Sequence, residues 1–261
     1  MSYFRLLWTY LRIGVMNELQ YRVNFFVQLF QSLLAVGTGL IALALVFQYT
    51  ETLGGWSRSE LLAVMGVHIL VGGIIKTFIQ PNMERLMREV QEGTLDYALT
   101  KPEDSQLMVS VRETRIWQLT DVLTGAGVLG TALLGLREAV GLREALAFGA
   151  ALLLGGAMIY CFWLMLTTTA FWFLRVWNLL HIFESTYQAG RWPVGLYPDA
   201  LRLGLTFLVP VAFAVTVPAE ALTGRLTAAT LPAAVGLAAL LAVVSRWFWR
   251  FGLRRYSGAS A

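Results

Sequence analysis

Two histidines, two lysines, one cysteine and sixteen carboxylates are the first groups to weigh for acid–base, metal or phosphate chemistry in this 261-residue chain. The lysines decide the nucleotide question first. A phosphate-cradling loop needs Lys after Gly and before Ser or Thr, so that backbone amides and the ammonium surround the phosphates. Lys76 follows Ile75 and Lys101 follows Thr100, so no such loop exists. His68 and His181 make no His-Glu-x-x-His pair, and no Cys/His cluster has metal-ligand spacing. Cys161 has no partner for a disulfide and reads as a small apolar residue against lipid or a neighbouring helix. The sequence therefore predicts no catalytic residue, no metal site and no cofactor in this chain. It is not an enzyme by this reading.

Other ionisable groups stand beside or inside apolar runs, where charge is expensive and function is the default reading. His68 sits mid-run. It is either a proton relay or, more economically, a neutral histidine hydrogen-bonded to a neighbouring helix. Lys76 and Asp121 lie near run ends, where snorkelling to the interface suffices. Pro210 and Pro218 interrupt another run, and each removes an amide donor. Val217 to Gly224 reads as a bend that re-enters or lines an outer mouth, capped by Glu220 and Arg225, or else as packing of a kinked helix. Between runs, Glu84, Arg85, Arg88, Glu89 and Glu92 suit a charged surface helix with i,i+4 pairing. Gly93 then breaks that helix, and Pro102 ends the short stretch after it.

The elements that hold these groups are membrane spans. Hydrophobic residues make up 57% of the chain and charged residues 14%, against about 25% charged in soluble domains. Mean hydropathy is +0.63. Uncharged stretches predict six spans at about 25–47, 61–79, 119–136, 146–174, 201–218 and 228–246. Continuous apolar runs, not period-two alternation, make them helices, so the expected fold is an all-α polytopic bundle forming one domain over 1–261. With six spans, sixteen Lys and Arg fall on the side of the two termini. Only Arg58, Arg137, Arg143 and Arg225 fall on the other. The positive-inside rule then puts both termini in the cytoplasm. The excess of base follows topology, and no aromatic-interleaved basic stripe suggests nucleic acid. Residues 1–22 have no signal-peptide layout. Phe4, Leu7, Trp8, Leu11 and Val15 recur at helical spacing, as in an interfacial helix or a cytoplasmic extension of the first span.

Glu92-Gly93-Thr94-Leu95-Asp96-Tyr97-Ala98-Leu99-Thr100-Lys101-Pro102 resembles the Gly-x-Leu-Asp-x-x-Leu-x-x-Pro stretch of type-two ATP-binding-cassette exporter permeases. Leu19 to Phe25, Gly55-Trp56-Ser57 with Glu60, and Pro193 through Tyr197-Pro198 to Pro210 and Pro218 are similar to a bacterial six-span branch of that class. The resemblance implies a permease subunit in the bacterial inner membrane. It implies two copies of a separate ATPase as partners, which carry the ATP and Mg, and a second permease, identical or paralogous. The segment at about 81–102 becomes the coupling helix, with Glu84, Arg88, Glu89, Glu92, Gly93, Leu95, Asp96 and Pro102 as its contact residues. Pro210, Pro218 and Glu220 become the outer mouth. Cargo is unspecified; aromatics such as Phe162, Trp163, Phe171 and Trp172 would suit an apolar or amphipathic one. The alternative is a stand-alone secondary carrier or channel.

Overall fold

Backbone amides in hydrocarbon must bond within their own segment, and the chain meets that demand with helices. The computed structural model describes residues 3–18, 22–136, 140–173 and 177–256. Leu19, Gln20 and Tyr21 of the motif before the first span, Arg137, Leu174 and Arg175 lie outside the described residues, as do the Phe4, Leu7 and Leu11 side chains. Among the described residues there is no β-strand.

The described residues form twelve α-helices in order: α1 Tyr3–Glu18, α2 Arg22–Val46, α3 Arg58–Ile74, α4 Gln80–Gln91, α5 Asp96–Leu99, α6 Ser105–Ser110, α7 Leu119–Gly135, α8 Leu142–Thr168, α9 Trp177–Gln188, α10 Asp199–Leu203, α11 Val217–Leu222 and α12 Thr230–Leu253. Four stretches are long and apolar enough to cross a bilayer: Val23–Val46, the continuous α3–α4 rod Arg58–Gln91, Leu142–Phe171 and α12. The chain is an all-α polytopic membrane protein.

The start of α3 shows how local sequence fixes a helix end. Glycines at φ +57° (Gly54) and +82° (Gly55) turn the chain, a geometry other residues resist. Ser57 then caps: its hydroxyl accepts from the Glu60 amide, and the Glu60 carboxylate accepts from the Ser57 amide at 2.7 Å. Downstream, α3 and α7 pack backbone to backbone. A Cβ on Gly125 would stand 2.4 Å from the Leu70 nitrogen, so small residues set the approach.

Contacts give each helix a direction. At one end of the bundle Gly135 abuts Ser59, Leu196 abuts Gly54, and Arg225 bonds Glu60. At the opposite end Trp249 meets Ser105 and Phe171, and Arg246 meets Asp104. Between these ends run α2, α3–α4, α7, α8, α9 and α12. Glu184, two-thirds of the way along α9, bonds Gln80, Tyr187 near its end bonds His68, and the chain beyond α9 reaches the Glu60 end at Leu196.

That path corrects the span expected at about 201–218. Asp199–Leu208 and Ala212–Leu222 are bent by 79°. Both feet of the bent pair stand at the Glu60 end, since Leu196 touches Gly54 and Arg225 touches Glu60. Its apex reaches only to the level of His68, where Val211 packs on Gly190. The pair thus folds back as a hairpin toward the end it starts from, and the chain through α9 and residues 189–196 passes between the two ends instead. Arg191 and Arg202, assigned by sequence to the side of the termini, move toward the other; the arginine asymmetry narrows and keeps its sign. The sequence signal failed here because the hairpin is apolar enough to mimic a span, while α9 carries His181 and Glu184 and is followed directly by Arg191.

Three five-residue π turns occur among the described residues: Ile75–Ile79, Gly204–Leu208 and Ala212–Thr216. Each ends two residues before a proline: Pro81, Pro210 and Pro218. A prolyl ring lacks the amide and collides with the carbonyl four residues back, and widening the preceding turn relieves that collision. Only Pro210 becomes a break, at Val209–Val211. Pro218 is absorbed inside continuous helix, so the bend expected over Val217–Gly224 lies instead at Pro210.

Candidate functional site

The segment joining α3 to α7 is built as a brace. Helix α4 continues α3, and one face is fully buried through Met83, Leu86 and Met87. It is no free surface helix, because continuity with the span presses that face onto α6 and α8. Asn82 pins the returning strand of chain: its amide donates to the Glu113 carbonyl at 2.7 Å and its oxygen accepts from the Glu113 amide at 2.9 Å. Glu84 takes Arg115 at 2.6 Å. Glu89 takes Arg85 at 2.9 Å and also Arg112, whose side chain is 7% exposed. Arg88 lies 3.8 Å from Glu113.

Beyond α4 the chain reverses at Gly93, φ +69°, with the Thr94 amide donating back to the Glu89 carbonyl. Leu95 is fully buried beneath the turn, while Glu92, Thr100, Lys101 and Pro102 are exposed and Tyr97 projects almost bare. Asp96 opens α5 and is half-buried. Of the eight residues expected to face a partner, Glu84, Glu89 and Leu95 thus face inward, and Arg88, Glu92 and Pro102 face out. Spacing alone could not separate them.

Asp104 caps α6 through the amides of Gln106 and Leu107, and holds Arg246 of α12 in a two-pronged pair. Arg246 also donates to Gln106 at 2.9 Å. The hydrogen bonds from Arg246 hold the Asp104 carboxyl below its usual range. Tyr160 of α8 joins the same cluster through Ser110 at 2.8 Å and Gln106 at 3.2 Å. The exposed turn is therefore bolted to α8 and α12. Sequence reading missed this clamp because its two halves are 142 positions apart.

Inside the bundle a cavity of about 290 Å³ lies between α2, α3, α7 and α9. Lys76, half-exposed at the first π turn, bonds the buried Asp121 at 2.9 Å, and Gln28 adds a weaker contact at 3.4 Å. The pair replaces the snorkelling expected of each residue alone. Glu184 accepts from Gln80 at 2.8 Å. The His68 ring stacks on Tyr187, whose hydroxyl donates to the His68 carbonyl at 2.8 Å. The ring's Nδ1 is buried with no hydrogen-bond partner. Phe183, Glu184, Tyr187, Gln188 and Arg191 reach this cavity from one face of α9 and its last turn. That helical spacing was present in the sequence and was the signal to read.

At the Glu60 end, Arg225 donates to Glu60 at 2.7 Å and to the Gly55 carbonyl at 2.6 Å, with its guanidinium 4.8 Å above Trp56. Glu220 is half-buried on α11; the Arg225 amide donates to its backbone carbonyl, while the Arg225 guanidinium bonds Glu60. The expected Glu220–Arg225 cap is replaced by this latch, because Glu60 offers a carboxylate already fixed by its own helix cap. Among the described residues no group of three or more His, Cys, Asp and Glu could hold a metal.

Residues 33–260 match the model of a family described as "ABC-2 family transporter protein". No curated protein and no solved structure matches the chain. A match over most of the length, on a bundle of apolar helices, means that the chain belongs to the ABC-2 transporter family as a permease-type membrane subunit.

Proposed function

We propose that this chain is the translocating half of an ATP-driven exporter and takes its power stroke from a separate ATPase seated on the turn between α4 and α6. The observation that carries this reading is the build of that turn. Its tip exposes Glu92, Tyr97 and Pro102, while its base is fixed to α8 and α12 through Asp104, Arg246, Gln106 and Tyr160. A rigid lever with a bare tip moves the helices it is bolted to when the tip is pushed. A solvated loop would dissipate the same push.

In this scheme the Asp104 end faces the cytoplasm with both termini, as the arginine bias suggests, in a bacterial plasma membrane. Two copies, or this chain with a similar one, pair with two ATPases that hold ATP and Mg. The cavity lined by α9 belongs to the path of the cargo, and the Glu60–Arg225 latch closes the outer side.

The test uses the chain co-expressed with a candidate ATP-binding-cassette ATPase that co-purifies with it. Gly93→Val should strain a backbone at φ +69° by about 1 kcal/mol or more, and Asp96→Lys reverses a charge beside the tip. Each is expected to abolish export-linked ATP hydrolysis while membrane insertion stays normal. Unchanged transport and ATPase stimulation in both variants would overturn the assignment.

A further inference from the structure

Two of the charged side chains lining the α9 cavity, Glu184 and Arg191, have no oppositely charged Lys, Arg, Asp or Glu partner among the described residues. Lys76 is paired with Asp121, and Glu184 is held by Gln80 and lies 3.4 Å from His181. Arg191 has, among the described residues, only the neutral amide oxygen of Gln188 at 3.0 Å. It stands at the depth of His68, more than halfway along α3, next to Gly190 and the hairpin apex. A cation inside a span costs about 2.5–3.5 kcal/mol on insertion scales, so an unmatched one marks a place where a counter-charge arrives. His68 Nδ1 is a second polar atom at that level with no partner, on a side chain more than nine-tenths buried. Met65, Ile69, Trp163 and Phe183 give the wall its apolar surface, and Trp163 Nε1 is a further buried polar atom with no hydrogen-bond partner.

We propose that this cavity binds an amphipathic organic anion, its acid group on the Arg191 guanidinium and its hydrocarbon along Met65, Ile69, Trp163 and Phe183. Guanidinium suits the task because it presents paired donors to carboxylate or phosphate and never loses its charge. The wall opposite has the size and greasiness of a small-ligand site. The inference rests on the exporter reading for its purpose, but binding needs neither ATPase nor flux, so its failure would leave that reading standing.

The test uses the chain alone in phosphatidylcholine nanodiscs with 11-(dansylamino)undecanoic acid, read by energy transfer from tryptophan. Saturable binding is expected. Arg191→Gln should weaken it about tenfold or more, as loss of a charge-assisted bond does. Arg191→Lys should recover part of the loss, and Arg202→Gln, whose residue pairs with Asp199 on the hairpin, should change nothing. The methyl ester of the same probe, tested on the unaltered protein, should bind about tenfold more weakly. Displacement by decanoate would identify a free fatty acid type of ligand; displacement by phosphatidic acid only would identify a lipid headgroup. Equal binding of acid and ester, or an Arg191→Gln variant that binds like the parent, overturns the proposal.

Discussion

Arg246, seven residues before the end of α12, grips Asp104 at the cap of α6 with two hydrogen bonds and reaches Gln106 with a third. This clamp joins the segment after the second crossing to the last crossing of the chain. Asp104→Asn and Arg246→Gln are each expected to lower export-linked ATPase activity several-fold, about what loss of a charge-assisted bond gives. The charge-swapped double variant Asp104→Arg with Arg246→Asp should regain part of it. Recovery in the double variant is the measurement that separates a clamp from two independent contacts.

The same pair sets an acid dependence. Arg246 favours the Asp104 carboxylate in the folded protein and so holds its pKa below the ordinary value of about 3.9. The clamp's contribution is then complete above that ordinary value and disappears as pH falls through the depressed one. Both groups are more than a quarter exposed, so the effect is modest. The melting temperature of the solubilised chain, followed from neutral pH into acid, is expected to show a step that begins only below that ordinary value. In Asp104→Asn that step should vanish.

Glu89 and Glu92 are three residues apart and should behave as opposites. Glu89 neutralises a buried Arg112, and removing one partner of a buried pair destabilises by about 3–5 kcal/mol. Glu89→Gln is therefore expected to lower the melting temperature and yield of the chain by itself. Glu92→Gln, at an exposed position, should leave both unchanged and alter only ATPase stimulation.

Much of this fold was open to a reader of the sequence. Val23 to Thr50 has no charge, so its helix could be drawn from hydropathy alone, and Gly93 announced its turn because few other residues take that backbone. The failures share a cause. Hydropathy measures what a segment is made of, whereas the fate of 199–222 depends on where its neighbours leave room. An apolar hairpin and an apolar span look alike in composition, and the polar face of α9 concealed the passage between the two ends. Long-range partners such as Arg246 for Asp104, or Arg225 for Glu60, leave no local trace at all.

The hairpin yields a direct test of side. In a Cys161→Ala background, Gly55→Cys, Gly195→Cys and Thr223→Cys are all expected to react with an impermeant maleimide from one face of the membrane. Thr100→Cys should react only from the other. Labelling of Gly195→Cys and Thr223→Cys from opposite faces would restore a through-going fifth span at 201–218.

The Glu60–Arg225 latch should report on the outer state. Arg225→Met removes the contacts to Glu60, Gly55 and Trp56 together. Maleimide labelling of Gly195→Cys is expected to quicken in that background, with Glu60→Gln giving a smaller change because Gly55 and Trp56 remain as partners.

An element rooted on a single face has no anchor to tear loose when it moves. Val209, Pro210 and Val211, the tip of the inverted V, present no charge to the interior, and the turns on both sides of them are already unwound from regular α-helix. Withdrawal of that tip drags neither an ion through oil nor a strong backbone ladder apart. The chain has in effect a cork tethered on one side, resting on Gly190 beside His68.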